Sequence, residues 1–231
     1  MIKAVFFDFF NTLAYYQPPR EQVYLDVCAE HGIYVEEKAL AKSLPLADTF
    51  WRDENRHNLI DKRTEEGKLA FWTEYVIRVV KEAGAAIGRD LAGKILARMK
   101  QTKWEFKAFH DIINTLQILK ERGLLLGLIS NAGQDMQKTY KELGLQPYLD
   151  YYVTSHEVGY DKPQPEIFQA ALQKANIKPA EAIYIGDQYE LDIIGARGVG
   201  MAAILIDRKN WFPDIMDCPR IQSLDEIIKY L

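Results

Sequence analysis

The chain has 231 residues and a formal net charge of -4, and 48% of its residues are hydrophobic while 27% are charged. This composition is typical of a globular protein with a sizeable core, and it excludes a disordered or fibrous chain. The weakly acidic charge argues against nucleic acid or an anionic membrane as the main partner. At about 150 residues per domain, the length predicts one complete domain and a smaller second one.

The apolar segments are too short for a membrane or secretion role. The longest, residues 123–129 and 198–206, are under half of the ~20 residues that cross a bilayer. The run at residues 4–7 stops at Asp8, before the ~7 apolar residues that a secretory signal needs. We therefore expect a cytoplasmic protein without a membrane partner. Cys28 and Cys218 lie far apart, which predicts neither a disulfide framework nor a zinc site.

The first element is a predicted strand, and a helical region follows it. Residues 1–8 are rich in aromatic and β-branched side chains, which indicates a buried strand that ends at Asp8. From about residue 14 to 103 we expect helices and no comparable strand, because apolar residues recur at spacings of three and four, as at Leu69, Trp72 and Val76. This region is the predicted second domain.

Helices and strands alternate after residue 104. The predicted helices cover residues 111–122, 134–143, 165–175 and 191–197, and the predicted strands cover residues 124–129, 151–154, 182–185 and 202–206. Such alternation is what a parallel sheet with crossover helices requires. Together with the first strand it predicts a five-stranded, doubly wound parallel sheet in an α/β fold. Sheets of this kind bind ligands beyond the carboxyl ends of their strands.

Polar residues follow three of these strands. Asp8 ends the first strand, Ser130 and Asn131 end the second, and Asp187 follows the fourth. Each of them could simply cap the next helix. Their joint occurrence with Lys162, which stands in a rigid proline-containing connection, predicts a functional site at this sheet edge.

Four segments resemble, in order and in spacing, the motifs of the haloacid dehalogenase-like hydrolase superfamily. They are Asp8-Phe-Phe-Asn-Thr12-Leu13, Leu126-Gly-Leu-Ile-Ser130-Asn131, Lys162-Pro163 and Gly186-Asp187-Gln-Tyr-Glu-Leu-Asp192. The resemblance covers essentially the whole chain. It implies a Rossmann-like catalytic core formed by residues 1–13 and 104–231, with an α-helical cap domain, residues 14–103, inserted after the first motif.

The resemblance also implies roles for individual residues. The leading Asp of the first motif is the family's nucleophile, so the implied catalytic residues are Asp8, Ser130 and Lys162. The implied cofactor is Mg²⁺, a hard ion that prefers oxygen ligands. Its expected ligands are one oxygen of Asp8, the backbone carbonyl of Phe10 and Asp187, with support from Asp192.

The expected partner is an anionic small molecule, bound by a monomer or a homodimer. Thr12 and Asn131 are expected to assist Ser130 in substrate binding. Residues 50–57 are rich in aromatic and cationic groups, and Arg52 and Arg56 are candidates for the distal anionic group of the substrate. The simpler interpretation of that stretch, and the one we favour, is a solvated helix face with one aromatic residue packed inward.

Phe10 departs from the pattern of phosphatase members. Those members usually carry a second Asp two residues after the nucleophile, where it protonates the leaving group and then activates water. A phenylalanine can do neither, and the loss of a general acid/base typically costs ~10² to 10⁴ in rate. Its backbone carbonyl is retained, so the expected metal site is not affected.

Three functions stay open at this point. The first is Mg²⁺-dependent hydrolysis of a small phosphorylated metabolite, and the second is 2-haloacid dehalogenation, in which halide leaves without a proton and an aromatic residue at this position is common. The third is a non-catalytic binding or regulatory role. The pair Asp187 and Asp192 weighs against the dehalogenase, which needs no metal. Retention of the catalytic set weighs against a non-catalytic protein.

Overall fold

The computed structural model describes residues 1–57, 60–132 and 136–231. The chain divides into two compact units, one formed by Met1–Tyr15 with Phe106–Leu231 and the other by Tyr16–Glu105. We call the first the sheet unit and the second the helical unit. Among the described residues, no helix combines the length and the apolar character needed to cross a bilayer.

The bounds of the elements follow the predicted order. The strands are β1 (Ala4–Phe7), β2 (Ala14–Gln17), β3 (Glu105–Ala108), β4 (Leu125–Ser130), β5 (Tyr151–Thr154), β6 (Ala182–Gly186), β7 (Ala202–Ile206) and β8 (Arg220–Ile221). The helices are α1 (Arg20–Glu30), α2 (Glu37–His57), α3 (Glu65–Glu82), α4 (Arg89–Met99), α5 (Ile112–Glu121), α6 (Gln137–Glu142), α7 (Ser155–Val158), α8 (Pro165–Ala175) and α9 (Gly195–Gly198).

The sheet unit contains a six-stranded sheet in the order β5-β4-β1-β6-β7-β8. Each neighbouring pair is parallel. Alternate residues of a strand face opposite sides of a sheet. Accordingly Val5 and Phe7 of β1 belong to one apolar cluster, while Ala4 and Phe6 belong to a second one. The prediction of a doubly wound α/β fold is therefore confirmed.

The central strand β1 carries Asp8 to the edge where the site forms. Phe7 pairs with Leu128 of β4 and with Ile185 of β6, and the Asp8 amide donates to the Ile185 carbonyl at 2.8 Å. Because all three strands are parallel, Asp8, Ser130 and Asp187 follow them at one end of the sheet. The fold thus explains why these three positions come together.

Three short strands were not predicted. The expectation of no strand between residues 14 and 103 was wrong at β2, which forms a two-stranded sheet with β3. Strands β2 and β3 have four residues each, which is too few to show a period. Their pairing also joins segments that are far apart in sequence. The two-residue strand β8 extends the expected five strands to six.

One predicted helix has an irregular form. The segment expected as a helix at residues 191–197 is a π-helical turn, Tyr189–Ile194, followed by α9. Turns of this type are rare and occur mostly at functional sites. This turn brings Asp192 into the site described below.

The helical unit has its own core. Buried residues of α1, α2, α3 and α4 form one cluster, including Val27, Leu40, Val76 and Ile95. Leu69, which we expected on the apolar face of α3, is 51% exposed, because the buried positions of this helix begin only at Phe71. Arg20 donates two hydrogen bonds of 2.9 Å to the carboxylate of Asp48, joining α1 to α2.

Gly127 provides a test of the sheet packing that positions Asp8. A Cβ atom at Gly127 would lie 2.5 Å from ring atoms of Phe6 in the neighbouring strand. We expect Gly127→Ala to destabilise the sheet unit by about 1–3 kcal/mol, because a packed core resists added atoms. The measurement is thermal unfolding followed by circular dichroism.

Gly93 in α4 is the matched control, since a Cβ there meets no atom within 4 Å. Gly93→Ala is expected to be neutral or stabilising by up to about 1 kcal/mol, as alanine favours helices. Equal unfolding midpoints for Gly127→Ala and the wild type would contradict the packing described here.

Candidate active site

A group of charged residues and one tyrosine, all buried except the partly exposed Asp187, lies at the carboxyl ends of β1 and β6. We call it the strand-end cluster, and its members are Asp8, Lys162, Tyr184, Asp187 and Asp192. The Lys162 ammonium donates to Asp8 Oδ1 at 2.6 Å, to Asp192 Oδ1 at 2.7 Å and to the Tyr184 hydroxyl at 3.0 Å. Lys162 is only 4% exposed. Its three donors are therefore all used inside the protein.

Asn131 fixes the backbone of Lys162. The Lys162 amide donates to Asn131 Oδ1 at 2.7 Å, and Asn131 Nδ2 donates to the Lys162 carbonyl at 3.1 Å. These two bonds tie the end of β4 to the connection that carries the lysine. The side chain of Asn131 thus positions Lys162, a function that the sequence did not predict.

Gly186 allows Asp192 to approach the cluster. A Cβ at Gly186 would lie 2.2 Å from Asp192 Cγ, closer than any side chain permits. Asp192 Oδ2 accepts from the Gln188 amide at 2.9 Å, which closes the π-helical turn over the end of β6. Gly186 is therefore required by the carboxylate of Asp192, six residues later.

Asn11 shapes the turn that follows Asp8 and contacts Asp187. Its φ angle of 59° is in the left-handed region, which asparagine tolerates better than most residues, and its amide donates to the Ala14 carbonyl at 2.7 Å. The Asn11 side chain also forms a hydrogen bond with the Asp187 carboxylate. Asp187 Oδ1 is buried and has no hydrogen-bond partner within the described ranges.

Burial and mutual repulsion affect how the carboxylates ionise. Burial raises the pKa of Asp8 to about 6, against the opposing charge of Lys162. Burial and then the charges of Asp8 and Asp192 hold the pKa of Asp187 well above its usual range. For Lys162, burial favours the neutral amine, but the carboxylates of Asp192 and Asp8 outweigh it and raise the pKa. One lysine is therefore too little positive charge for this group of acids.

The strand-end cluster fits a divalent cation. Oxygens of Asp8, Asp187 and Asp192 lie within 4.8 Å of one another. When ionised, these three carboxylates and Lys162 leave two net negative charges, which a divalent ion would offset. Carboxylate oxygens are the ligands that Mg²⁺ prefers. The acceptor Asp187 Oδ1, which has no partner among the residues that the structure describes, is available to such an ion.

The structure places the remaining predicted residues of the sheet unit near the same strand ends. Ser130 ends β4 and is 7% exposed. Thr12 is fully buried, and its Oγ1 atom has no hydrogen-bond partner in the described part of the chain. The Phe10 ring is half-buried and packs against the apolar cluster that contains Phe7, so this position offers no acidic group.

The predicted cationic residues belong to the helical unit. Arg52 lies in α2 and donates to Thr49 Oγ1 at 2.7 Å. The side chain of Arg56 lies outside the described part of the structure. Contact of either residue with a substrate stays a prediction.

Asn11 and Tyr184 are the two site residues that the sequence did not single out. Asn11 stands inside the first motif, directly after Phe10. This position in the turn after Asp8 could have indicated a site residue. Tyr184 occupies a buried strand, where an aromatic residue looks like ordinary core. Only the structure shows its hydroxyl between Lys162 and Asp192, at 3.0 Å from each.

Comparison with known proteins agrees with this fold and shows the family of the chain. The profile of the haloacid dehalogenase-like hydrolase family matches residues 2–200. A protein of Methanopyrus kandleri, named glyceraldehyde 3-phosphate phosphatase, is 32% identical over 179 residues, which cover 68% of this chain and 76% of the relative. The chain belongs to the haloacid dehalogenase-like hydrolases, and it is a hydrolase of that family.

Solved structures of a phosphatase and of a 2-haloacid dehalogenase share the fold. The crystal structure of a HAD phosphatase from Thermococcus onnurineus has a TM-score of 0.60, with 24% identity and coverage of 99% of this chain and 97% of that one. A 2-haloacid dehalogenase from Pseudomonas syringae has a TM-score of 0.56 at the same identity and coverage. At this identity the likeness shows the fold alone, so the choice between activities depends on the site.

Lys162 provides a test of the cluster's electrostatics. We expect Lys162→Met to destabilise the protein by about 3–5 kcal/mol in chelator, since it leaves buried carboxylates without their counter-charge. The measurement is urea unfolding. The matched control is Lys120→Met, because Lys120 binds the partly exposed Asp150 at 2.8 Å and such pairs contribute about 0–1 kcal/mol. Equal losses in the two variants would show that the cluster contains no strongly coupled charges.

Proposed function

We propose that this hydrolase is a Mg²⁺-dependent phosphatase that acts on a small phosphorylated metabolite, with Asp8 as its nucleophile. The observation that carries the proposal is the complete acidic set of Asp8, Asp187 and Asp192 around Lys162. A metal-independent dehalogenase has no use for three carboxylates at one place. The phosphatase name of the Methanopyrus kandleri relative supports the same choice.

The chemistry follows from the position of Asp8. A carboxylate oxygen of Asp8 attacks the phosphorus atom, and the ester P–O bond breaks as the alcohol oxygen leaves. Water then attacks the phosphorus of the aspartyl phosphate, which releases inorganic phosphate and restores the carboxylate. Lys162 holds Asp8 by one oxygen and offsets part of the negative charge that the substrate brings.

Asp8, Asp187 and the backbone carbonyl of Phe10 would hold the Mg²⁺ ion, and Asp192 would support them. When bound, this ion supplies positive charge to the phosphoryl group, and phosphoryl transfer depends mainly on such electrostatic stabilisation. The orphaned oxygen of Asp187 supports this assignment.

Substrate binding is assigned to polar residues of both units. We propose that Ser130 donates a hydrogen bond to the phosphoryl group, with help from Thr12 and Asn131. The helical unit would act as a cap domain that excludes water and selects substrates, with Arg52 and Arg56 facing the distal anionic group. The cytoplasmic location and the monomeric or homodimeric state stay predictions.

Phe10 limits which phosphate esters react well. Its half-buried ring stands where phosphatase members of the family place a general acid, so the leaving alcohol has no such acid in the first motif. Substrates whose leaving group needs little protonation are therefore favoured, unless the helical unit supplies the acid.

The aromatic Phe10 also supports a second candidate, 2-haloacid dehalogenation, because halide leaves without a proton. This reaction would use the same Asp8. Halide release from 2-chloropropionate in the presence of chelator distinguishes the two candidates, since the phosphatase proposal predicts none.

The nucleophile assignment predicts the loss of activity in Asp8→Asn. We expect wild-type protein to release phosphate from p-nitrophenyl phosphate in Mg²⁺ and not in chelator. Asp8→Asn should reduce kcat to below roughly a thousandth, because it removes the attacking carboxylate. Asp150→Asn, on the same unit but away from the cluster, should retain activity. Metal-independent halide release, or full activity in Asp8→Asn, would overturn the proposal.

Phe10→Asp tests whether a missing general acid limits turnover. We expect its kcat with p-nitrophenyl phosphate, or with an alkyl phosphate, to rise up to about 10²-fold, with the larger gain for the alkyl ester. Phe10→Asn is the matched control, as it introduces a polar group of the same size without a proton to transfer. A similar change in both variants would mean that pocket shape, and not acid catalysis, determines the rate.

A further inference from the structure

Arg208 joins the carboxyl end of strand β7 to the loop that carries Asp8, the proposed nucleophile. It stands two residues after β7, at the same sheet edge as Asp8. One guanidinium nitrogen donates to the Thr12 carbonyl at 2.7 Å, and another donates to Asp111 Oδ2 at 2.9 Å. The guanidinium carbon lies 3.8 Å from the centre of the Phe109 ring. Arg208 therefore contacts two separate segments of the sheet unit, one at residue 12 and one at residues 109–111.

These two segments flank the stretch of chain that leaves and re-enters the sheet unit. Thr12 lies two residues before the outgoing strand β2, and Phe109 directly follows the returning strand β3. Their backbones are also bonded, since the Phe109 amide donates to the Leu13 carbonyl at 3.1 Å. Arg208 thus braces the base of the β2–β3 pair from one side.

Asp111, the carboxylate that Arg208 binds, is itself fixed by further hydrogen bonds. Asp111 Oδ2 accepts from the Ser223 hydroxyl at 2.9 Å and from the Leu224 amide at 2.6 Å. The side chain of Arg208 is 12% exposed, and that of Asp111 is 5% exposed. A buried arginine bound to a fixed carboxylate can hold a carbonyl with little freedom to move.

The held carbonyl belongs to the loop on which the strand-end cluster depends. This loop, residues 8–12, contains the Asp8 carboxylate, the Phe10 carbonyl and the Asn11 side chain that contacts Asp187. Hydrogen bonds close this loop on itself: the amides of Leu13 and Ala14 donate to the Phe9 carbonyl at 2.9 and 3.0 Å. Those bonds fix the turn internally, while the bond from Arg208 fixes it to the sheet.

We propose that Arg208 is a positioning residue that fixes the nucleophile loop by holding the Thr12 carbonyl. It acts on the reaction through the loop, and it does not contact the substrate. The claim about catalysis rests on the proposed function, whereas the claim about the loop does not. Small displacements of reacting groups reduce rates strongly, so the loss of this bond should affect kcat more than KM.

The test compares Arg208→Met with Arg197→Met. Methionine keeps much of the arginine's apolar bulk and removes its donors. Arg197 is a matched control, since it also binds one carboxylate and one carbonyl, those of Asp217, at 2.9 and 2.6 Å, away from the nucleophile loop. The measurements are kcat, KM, the unfolding midpoint and amide hydrogen exchange of residues 9–14. Arg208→Lys, which retains a positive charge and a single donor nitrogen, should restore part of kcat.

We expect Arg208→Met to lower kcat about tenfold with little change in KM, and to speed amide exchange in residues 9–14. Arg197→Met, which removes a similar but more exposed pair of contacts, should do neither. Unchanged exchange in Arg208→Met, or equal kcat losses in both variants, would overturn the proposal. If the wild type hydrolyses no phosphate ester, the proposed function fails, and amide exchange alone decides whether Arg208 holds the loop.

Discussion

The buried contact of Lys162 with Asp8 and Asp192 is the constraint on which the rest of the site depends. Removing an ammonium group and two carboxylates from water costs several kcal/mol for each ion, and only close, well-directed contacts offset that cost. Three separate features provide those contacts: β1 delivers Asp8, the Asn131 amide fixes the Lys162 backbone, and Gly186 leaves space for Asp192. The site is therefore a property of the sheet, and not of any one motif.

The same contact explains why the cluster remains short of positive charge. Lys162 uses its three donors on Asp8, Asp192 and Tyr184, so Asp187 gains no hydrogen bond from it among the described contacts. Burial and the neighbouring acids raise the pKa of Asp187, and a divalent cation would favour its ionised form instead. Phe10 removes the usual acid from the first motif but does not change this balance. In the proposed function, Phe10 would therefore affect how the leaving group departs, whereas the charge of the cluster would determine what can bind.

Much of the fold could be predicted because long apolar runs and glycine-ended helices alternate regularly after residue 104. The parallel order brings strand ends together, so the placement of Asp8, Ser130 and Asp187 at one edge of the sheet could be predicted from position alone. The sequence could not show β2, β3 or β8, because two to four residues carry no period and their pairing is long-range. The sequence did not identify Tyr184 and Arg208 for a related reason. A tyrosine in a buried strand looks like a core residue, and an arginine after a strand looks like a surface residue, until the structure shows their partners.

Magnesium binding tests the central claim most directly, because it requires no knowledge of the substrate. Mg²⁺ would be titrated by isothermal calorimetry into the wild type and into Asp187→Asn, with Asp150→Asn as a control for the loss of a carboxylate elsewhere. The account predicts a single magnesium site per chain that Asp187→Asn abolishes or weakens strongly and that Asp150→Asn leaves intact. Wild-type protein that binds no Mg²⁺, or equal binding by Asp187→Asn, would contradict it.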